Sequence, residues 1–371
     1  MRVLENPESV RLKKLISEGA GAGIYPGAVL LAAWKGKIVF FEAAGYQSTR
    51  PRKLPMKRDT IFDLASLTKP LATALAMMSL VDRRQLDLDR PLGGILSFGG
   101  LGEKGSITPR QLLSHCSGLP AWRPFYLHLV HFLPDVRKRL LREQILGLPL
   151  EYPPGTRAVY SDPGFMLLEW VVEEAAGEAL PTFLERHFYG PLGLRRTFLG
   201  GFPQAPEGVG LEDIAPTEEC PWRRKILRGE VHDENAYALG GYSGHAGLFG
   251  TAEEVYVLLD MLRGHYLGVR KDFFEPETVR LFFERQETEK GNTWALGWDT
   301  PSTEHSSAGG LFSKKSVGHL GFTGTSVWMD LEKDVIVVFL TNRIHPSRKN
   351  EKIREFRPVI HNAVMEALGQ N

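Results

Sequence analysis

A hydroxyl and an amine stand three residues apart in the stretch Ala65-Ser66-Leu67-Thr68-Lys69-Pro70. On a helix, residues i and i+3 share a face, so the Lys69 amine comes within reach of the Ser66 hydroxyl. Pro70 lacks an N–H and is tolerated only in a first turn, where amide protons have no intrahelical acceptor, so the helix begins close to Ser66. The positive end of the helix dipole then favours negative charge developing on the serine oxygen. The chemistry of such a pair is acyl transfer through a covalent serine intermediate. A serine near a helix start is also a common cap, and Ser-x-x-Lys is a short pattern, so the assignment depends on what else the chain supplies.

Two other stretches bear on it. Tyr160-Ser161-Asp162-Pro163-Gly164 sets a phenol on a loop at the entrance of an apolar helix over 165–176, and His319-Leu320-Gly321 sets an imidazole on a strand-like run. Free Tyr and Lys have pKa values near 10, so using either as a base at pH 7 costs about 4 kcal/mol unless a neighbour helps. A phenolate beside an ammonium is one way to offset that cost.

The elements that must position these groups follow from periodicity. Residues 9–17 carry apolar positions at helical spacing, and Gly19, Gly21 and Gly23 end that helix. Residues 27–34 and 38–44 are strand-like and joined by Lys35-Gly36-Lys37, which predicts a hairpin. The segment after Ser66 is rich in Ala, Leu and Met on several faces, which predicts a buried central helix. Helical pieces separated by Pro and Gly fill 86–230, and a further helix spans 252–263. Residues 294–298, 316–321, 325–330 and 335–340 read as successive strands, with Glu332-Lys333-Asp334 as a turn and a closing helix over 358–365. Strands at both ends and helices between predict an α/β (α+β) fold: an antiparallel sheet flanked by helices, with a mainly helical lobe inserted. We expect the α/β lobe to comprise 1–65 and 231–371 and the helical lobe 66–230, with the active site between them.

Composition narrows the partners. The 371 residues are 43% hydrophobic and 24% charged with a formal net charge of +1, which gives no reason to expect nucleic acid or an anionic membrane. No run approaches a membrane span. Met1-Arg2-Val3-Leu4-Glu5-Asn6-Pro7 leads into charged residues rather than the apolar core of a signal peptide, which predicts a cytoplasmic chain. Cys116 and Cys220 read as packing residues, with a disulfide left open. His232, Asp233 and His245 show no metal-ligand spacing, so neither metal nor cofactor is expected. His128 and His131, like the run Glu284-Arg285-Gln286-Glu287-Thr288-Glu289-Lys290, read as surface. Trp122, Phe125 and Tyr126 are candidates either to roof the site or to pack the core.

In order along the chain, Ser66-x-x-Lys69, Tyr160-Ser161-Asp162 and His319-Leu320-Gly321 resemble the motifs of the serine penicillin-recognising enzymes, in the branch of class C β-lactamases, D-alanyl-D-alanine carboxypeptidases and related esterases. Ser114-His115-Cys116-Ser117-Gly118-Leu119-Pro120 and Gly247-Leu248-Phe249-Gly250-Thr251-Ala252-Glu253-Glu254 are similar to stretches of that family too. The resemblance implies a β-lactamase/transpeptidase-like fold, with Ser66 as nucleophile, Lys69 as the amine that eases loss of its proton, Tyr160 as general base and His319 lining the cleft. It implies an oxyanion hole from the N–H groups of Ser66 and Phe322, with Asp162, Gly321 and Thr323 among the substrate contacts. Asn342 and Arg343, past the last strand, are candidates to hold an anionic substrate group, although an Arg at a strand end is more often a solvated charge.

Two departures matter. Asp162 stands where Asn is common, and a carboxylate near Lys69 favours the charged amine, which shifts the expected base toward Tyr160. Leu320 replaces a hydroxyl residue, removing a contact to a substrate carboxylate. The sequence therefore predicts a serine hydrolase acting on a small-molecule ester, amide, D-amino-acid peptide or β-lactam. A binding or sensor protein of the same fold, with little turnover, is the alternative. If His319 titrates in the mechanism, the rate should show a limb near pH 6–7 that His319→Lys removes.

Overall fold

The computed structural model describes residues 6–287 and 292–370. Residues 1–5 of the amino-terminal stretch and Thr288, Glu289 and Lys290 of the charged run lie outside them. The chain opens with helix α1 (Asn6–Gly21) and a hairpin of β1 (Gly27–Trp34) and β2 (Lys37–Ser48). Trp34 pairs with Lys37 across a two-residue turn in which Lys35 (φ 51°) and Gly36 (φ 70°) are both left-handed, the geometry that matches strand twist. Short strands β3 (Leu54–Pro55) and β4 (Phe62–Asp63) follow.

The middle of the chain is largely helical: α2 (Leu75–Asp82), α3 (Pro109–Leu113), α4 (Tyr126–Leu129), α5 (Pro134–Gly147), α6 (Asp162–Ala176) and α7 (Leu180–Leu184). Next come β5 (Phe198–Leu199), the small hairpin β6 (Glu219–Cys220) and β7 (Lys225–Ile226), α8 (Glu234–Ala238), β8 (Leu248–Gly250), α9 (Ala252–Tyr266) and α10 (Pro276–Phe283). Strands β9 (Ser316–Leu320), β10 (Ser326–Asp330) and β11 (Val335–Thr341) and helix α11 (Ile353–Ala367) complete the chain. No helix among the described residues is long and apolar enough to cross a membrane.

The six-stranded sheet runs in the order β3-β2-β1-β11-β10-β9, antiparallel throughout, so strands from both ends of the chain meet at its centre. Alternation along β1 divides two cores. Val29, Leu31 and Ala33 face α2, α6, α9 and α10, whereas Ala28, Leu30 and Ala32 face Leu12 and Ile16 of α1 and Phe356, Ile360 and Val364 of α11. Each fully buried aliphatic side chain stabilises this arrangement by about 1.5–3 kcal/mol. Both cysteines are buried packing residues.

Two expectations are corrected. Residues 294–298 form no strand. Gly297 is left-handed (φ 82°), the Ala295 N–H donates to the Trp298 carbonyl, and Trp294 bridges Asp299, which makes the segment a tight turn. Nor does one regular helix begin at Ser66: a 3₁₀ turn (Ala65–Leu67) leads into a π-helical turn (Lys69–Ala74) before α2 starts at Leu75. Pro70 accounts for the widening, because its ring and missing N–H disrupt regular α-helical bonding there.

Candidate active site

The serine turn is anchored before any chemistry is considered. Strand β4 pairs with β8, and the Leu64 N–H donates to the Leu248 carbonyl at 2.9 Å. Ala65 is left-handed (φ 49°), a costly conformation for a residue with a Cβ, and its N–H donates to Asp63 Oδ1 at 2.9 Å. Asp63 Oδ2 accepts the His232 N–H at 2.7 Å, and the Asp63 carbonyl accepts Thr323 Oγ1 at 2.7 Å. One buried carboxylate thus joins the serine turn to the segment before α8, and its carbonyl reaches the loop after β9.

Lys69 is fully buried beneath the serine. Its Nζ donates to Ser66 Oγ at 3.3 Å, to Asp162 Oδ1 at 2.7 Å and to the His245 carbonyl at 3.4 Å. Asp162 is delivered by the start of α6, whose first turn Ser161 caps by accepting the Gly164 N–H at 3.2 Å. The Tyr160 ring lies 4.6 Å from Lys69 Nζ. Around it stand His115 at 4.6 Å, Trp294 at 5.4 Å and His319 at 6.0 Å, measured between ring centroids. These rings wall the fully buried amine, while the partly buried Tyr160 keeps one side toward solvent.

The protonation states follow. Burial opposes charge on Lys69, but the Asp162 carboxylate and the Tyr160 oxygen outweigh it, and the amine's pKa is raised above the ordinary lysine value. Burial raises the Tyr160 pKa as well, and the pull of Lys69 does not cancel it. Both directions favour an ammonium paired with Asp162 beside a phenol that keeps its proton.

His319 sits on β9, the edge strand, and is buried. Its Nδ1–H donates to the Leu320 carbonyl at 2.9 Å, leaving the buried Nε2 without a partner among the described residues. Burial first, and the Lys69 charge second, push its pKa down to about 3. The expected limb near pH 6–7 is thereby corrected, since His319 is neutral throughout that range. A His319→Gln variant should keep the shape of the wild-type rate profile between pH 5 and 8. Loss of a limb in that window, read from kcat/KM at constant ionic strength, would overturn the assignment.

Above these groups opens a cavity of about 300 Å³. Ser66, Tyr160, Asp162 and Phe322 line it, together with Trp122, His232, Asp233, Glu234, His245 and Arg348. Phe125 is core, as one of its two readings had it. The other expected substrate contacts are spent within the protein. Gly321 lets the chain pass against the Leu64 carbonyl, which an added Cβ would approach to 2.6 Å. Thr323 donates to Asp63. Asn342 binds the Gly27 N–H and the Gln47 carbonyl at 3.0 and 2.7 Å. Arg343 is corrected most clearly: its guanidinium donates to the carbonyls of Phe322, Arg348 and Asn350.

Three residues have roles that the sequence reading does not give them. His115 accepts the Ser161 N–H on Nδ1 at 3.0 Å and packs on Tyr160. His245 Nε2 donates to Asp233 Oδ1 at 3.0 Å, burial opposing its charge and Asp233 raising its pKa overall. Arg348 reaches the cavity between Glu218 Oε2 (2.6 Å) and Glu234 Oε1 (2.7 Å). For His115 the loop 114–120 was a usable signal; for Arg348 none was visible.

Comparison with known proteins bears on the family and the fold. A family model described as Beta-lactamase matches residues 12–359. A Bacillus subtilis protein named N-acetylmuramyl-L-alanine amidase is 33% identical over 367 residues, covering 90% of this chain and 81% of its own. An Escherichia coli protein provisionally named D-alanyl-D-alanine carboxypeptidase is 34% identical over 364 residues, covering 90% of this chain and 82% of its own. Among solved structures, EstCE1, a hydrolase with promiscuous acyltransferase activity, superposes with a TM-score of 0.73 at 24% identity over 95% of this chain and 98% of that one. An octameric penicillin-binding protein homologue from Pyrococcus abyssi gives 0.70 at 20% identity, over 98% of this chain and 78% of that one. These superpositions establish a shared fold.

Proposed function

Because the chain belongs to the Beta-lactamase family and is a serine hydrolase of that fold, we propose that Ser66 is its nucleophile and that it cleaves small esters or amides through an acyl-enzyme. The observation that carries this reading is the buried Lys69 amine held between Ser66 Oγ (3.3 Å) and Asp162 Oδ1 (2.7 Å) below the cavity. As Ser66 Oγ attacks the carbonyl, its proton enters the Lys69–Asp162 pair: Lys69 takes it while handing one of its own to Asp162. Tyr160, protonated at rest, gives its proton to the leaving group and recovers one from the pair. The sum moves the serine proton to the leaving group. Water then attacks the acyl-enzyme, and the relay runs in reverse to restore the serine.

The N–H groups of Ser66 and Phe322, two residues that line the cavity, are proposed to hold the developing oxyanion. Donors of this kind contribute roughly 3–4 kcal/mol each to lowering a barrier. Steady-state assay with a short-chain nitrophenyl ester tests the reading. Release should continue well past one equivalent of product per protein. A burst of one equivalent followed by arrest would favour the binding or sensor alternative, to which the tight Asp162 grip on Lys69 lends some weight.

A further inference from the structure

Among the described residues, each cation near Ser66 already has partners within the protein. Lys69 is paired with Asp162, and Arg343 is spent on three backbone carbonyls. Arg357, behind β9, donates to the carbonyls of Gly321 (3.0 Å) and Thr325 (2.9 Å). Among the described residues Arg348 is the one guanidinium lining the cavity, and two carboxylates bracket it. His245 is held by Asp233, and His319 is neutral. The carboxylates of Asp162, Asp233 and Glu234 line the same cavity.

A carboxylate brought into this cavity sheds part of its hydration and is favoured only where a charged or multiply donating partner replaces it. Here Arg348 would have to be shared with Glu218 and Glu234, the Lys69 and His245 charges are matched by Asp162 and Asp233, and the paired carboxylates of Asp162, Asp233 and Glu234 face the newcomer. Leu320 adds no hydroxyl on the β9 side. We propose that the cavity rejects substrates carrying a carboxylate and that the enzyme acts on esters and amides whose leaving group is uncharged, in preference to peptides ending in a free carboxylate. This rests on the serine-hydrolase reading above and gives that reading a substrate class.

The test compares 4-acetoxybenzamide with 4-acetoxybenzoate on the full-length protein. Both transfer the same acetyl group, and each kcat/KM is divided by the ester's own hydroxide-catalysed rate. The expected result is at least a tenfold advantage for the carboxamide. Glu234→Gln relieves Arg348 of one carboxylate, so in that variant the advantage should shrink several-fold. Equal normalised rates, or a preference for the benzoate, would overturn the proposal while leaving the hydrolase reading standing. No turnover of either ester would overturn both together.

Discussion

Replacing Ser66 by alanine is expected to lower steady-state ester hydrolysis by about 10⁴-fold or more, the scale seen when a covalent nucleophile is removed from a serine enzyme. The fold should survive. Lys69 loses one long contact at 3.3 Å but keeps Asp162 at 2.7 Å and the His245 carbonyl at 3.4 Å, so the stability cost stays near 1 kcal/mol or below. Thermal unfolding measured beside the kinetics separates a lost nucleophile from a lost structure. The same variant should take no mass adduct from a fluorophosphonate that labels the wild type once. Residual activity within tenfold of wild type in a folded Ser66→Ala protein would place the nucleophile elsewhere.

Asp162→Ala should be the most destabilising change at the site. It leaves the Lys69 ammonium buried without its carboxylate, and breaking a buried ion pair from one side costs about 3–5 kcal/mol. The pH dependence has a definite sign. Lys69 has its pKa raised in the folded wild type, so the pair's contribution is complete below the ordinary lysine pKa and fades only as pH rises through the higher folded value. In Asp162→Ala the raising influence is gone and burial dominates, so the amine sheds its proton at lower pH than an ordinary lysine. The melting-temperature gap between variant and wild type should accordingly be widest near pH 6–7 and narrow toward pH 10. A gap that is constant across that range would mean that Lys69 is not the group left stranded. Asp162→Asn keeps a hydrogen-bond acceptor and should fall between the two.

The sequence disclosed what depends on local pattern. The hairpin at Lys35-Gly36, the strands at 326–330 and 335–341, and the reach of Lys69 toward Ser66 all follow from periodicity, turn chemistry or i,i+3 spacing. It was silent where distant segments decide. The pKa directions of Tyr160 and His319 come from burial among rings supplied by residues 115, 165 and 294, which no spacing rule brings together. Arg343 looked available because its three carbonyl acceptors are invisible in sequence. Arg348 was missed because Glu218 and Glu234, more than a hundred residues away along the chain, set its position. The buried helical segment after Ser66 follows from its composition, but its irregular start, with a widened turn at Pro70 before the regular helix at Leu75, is a detail that propensity alone does not resolve.

The sheet order has a consequence for how the chain reaches its native state. Strand β1 pairs on one side with β11, Ala28 opposite Thr341 and Trp34 opposite Val335, so the centre of the sheet joins segments some three hundred residues apart. During synthesis the β1–β2 hairpin emerges well before β11 and has one edge with no partner until some three hundred further residues have been made. Closing so long a loop carries a large entropic cost before any pairing rewards it, which favours slow, late assembly. Throughout that interval the apolar edge Val29-Leu30-Leu31, buried in the finished fold, is open to misassociation.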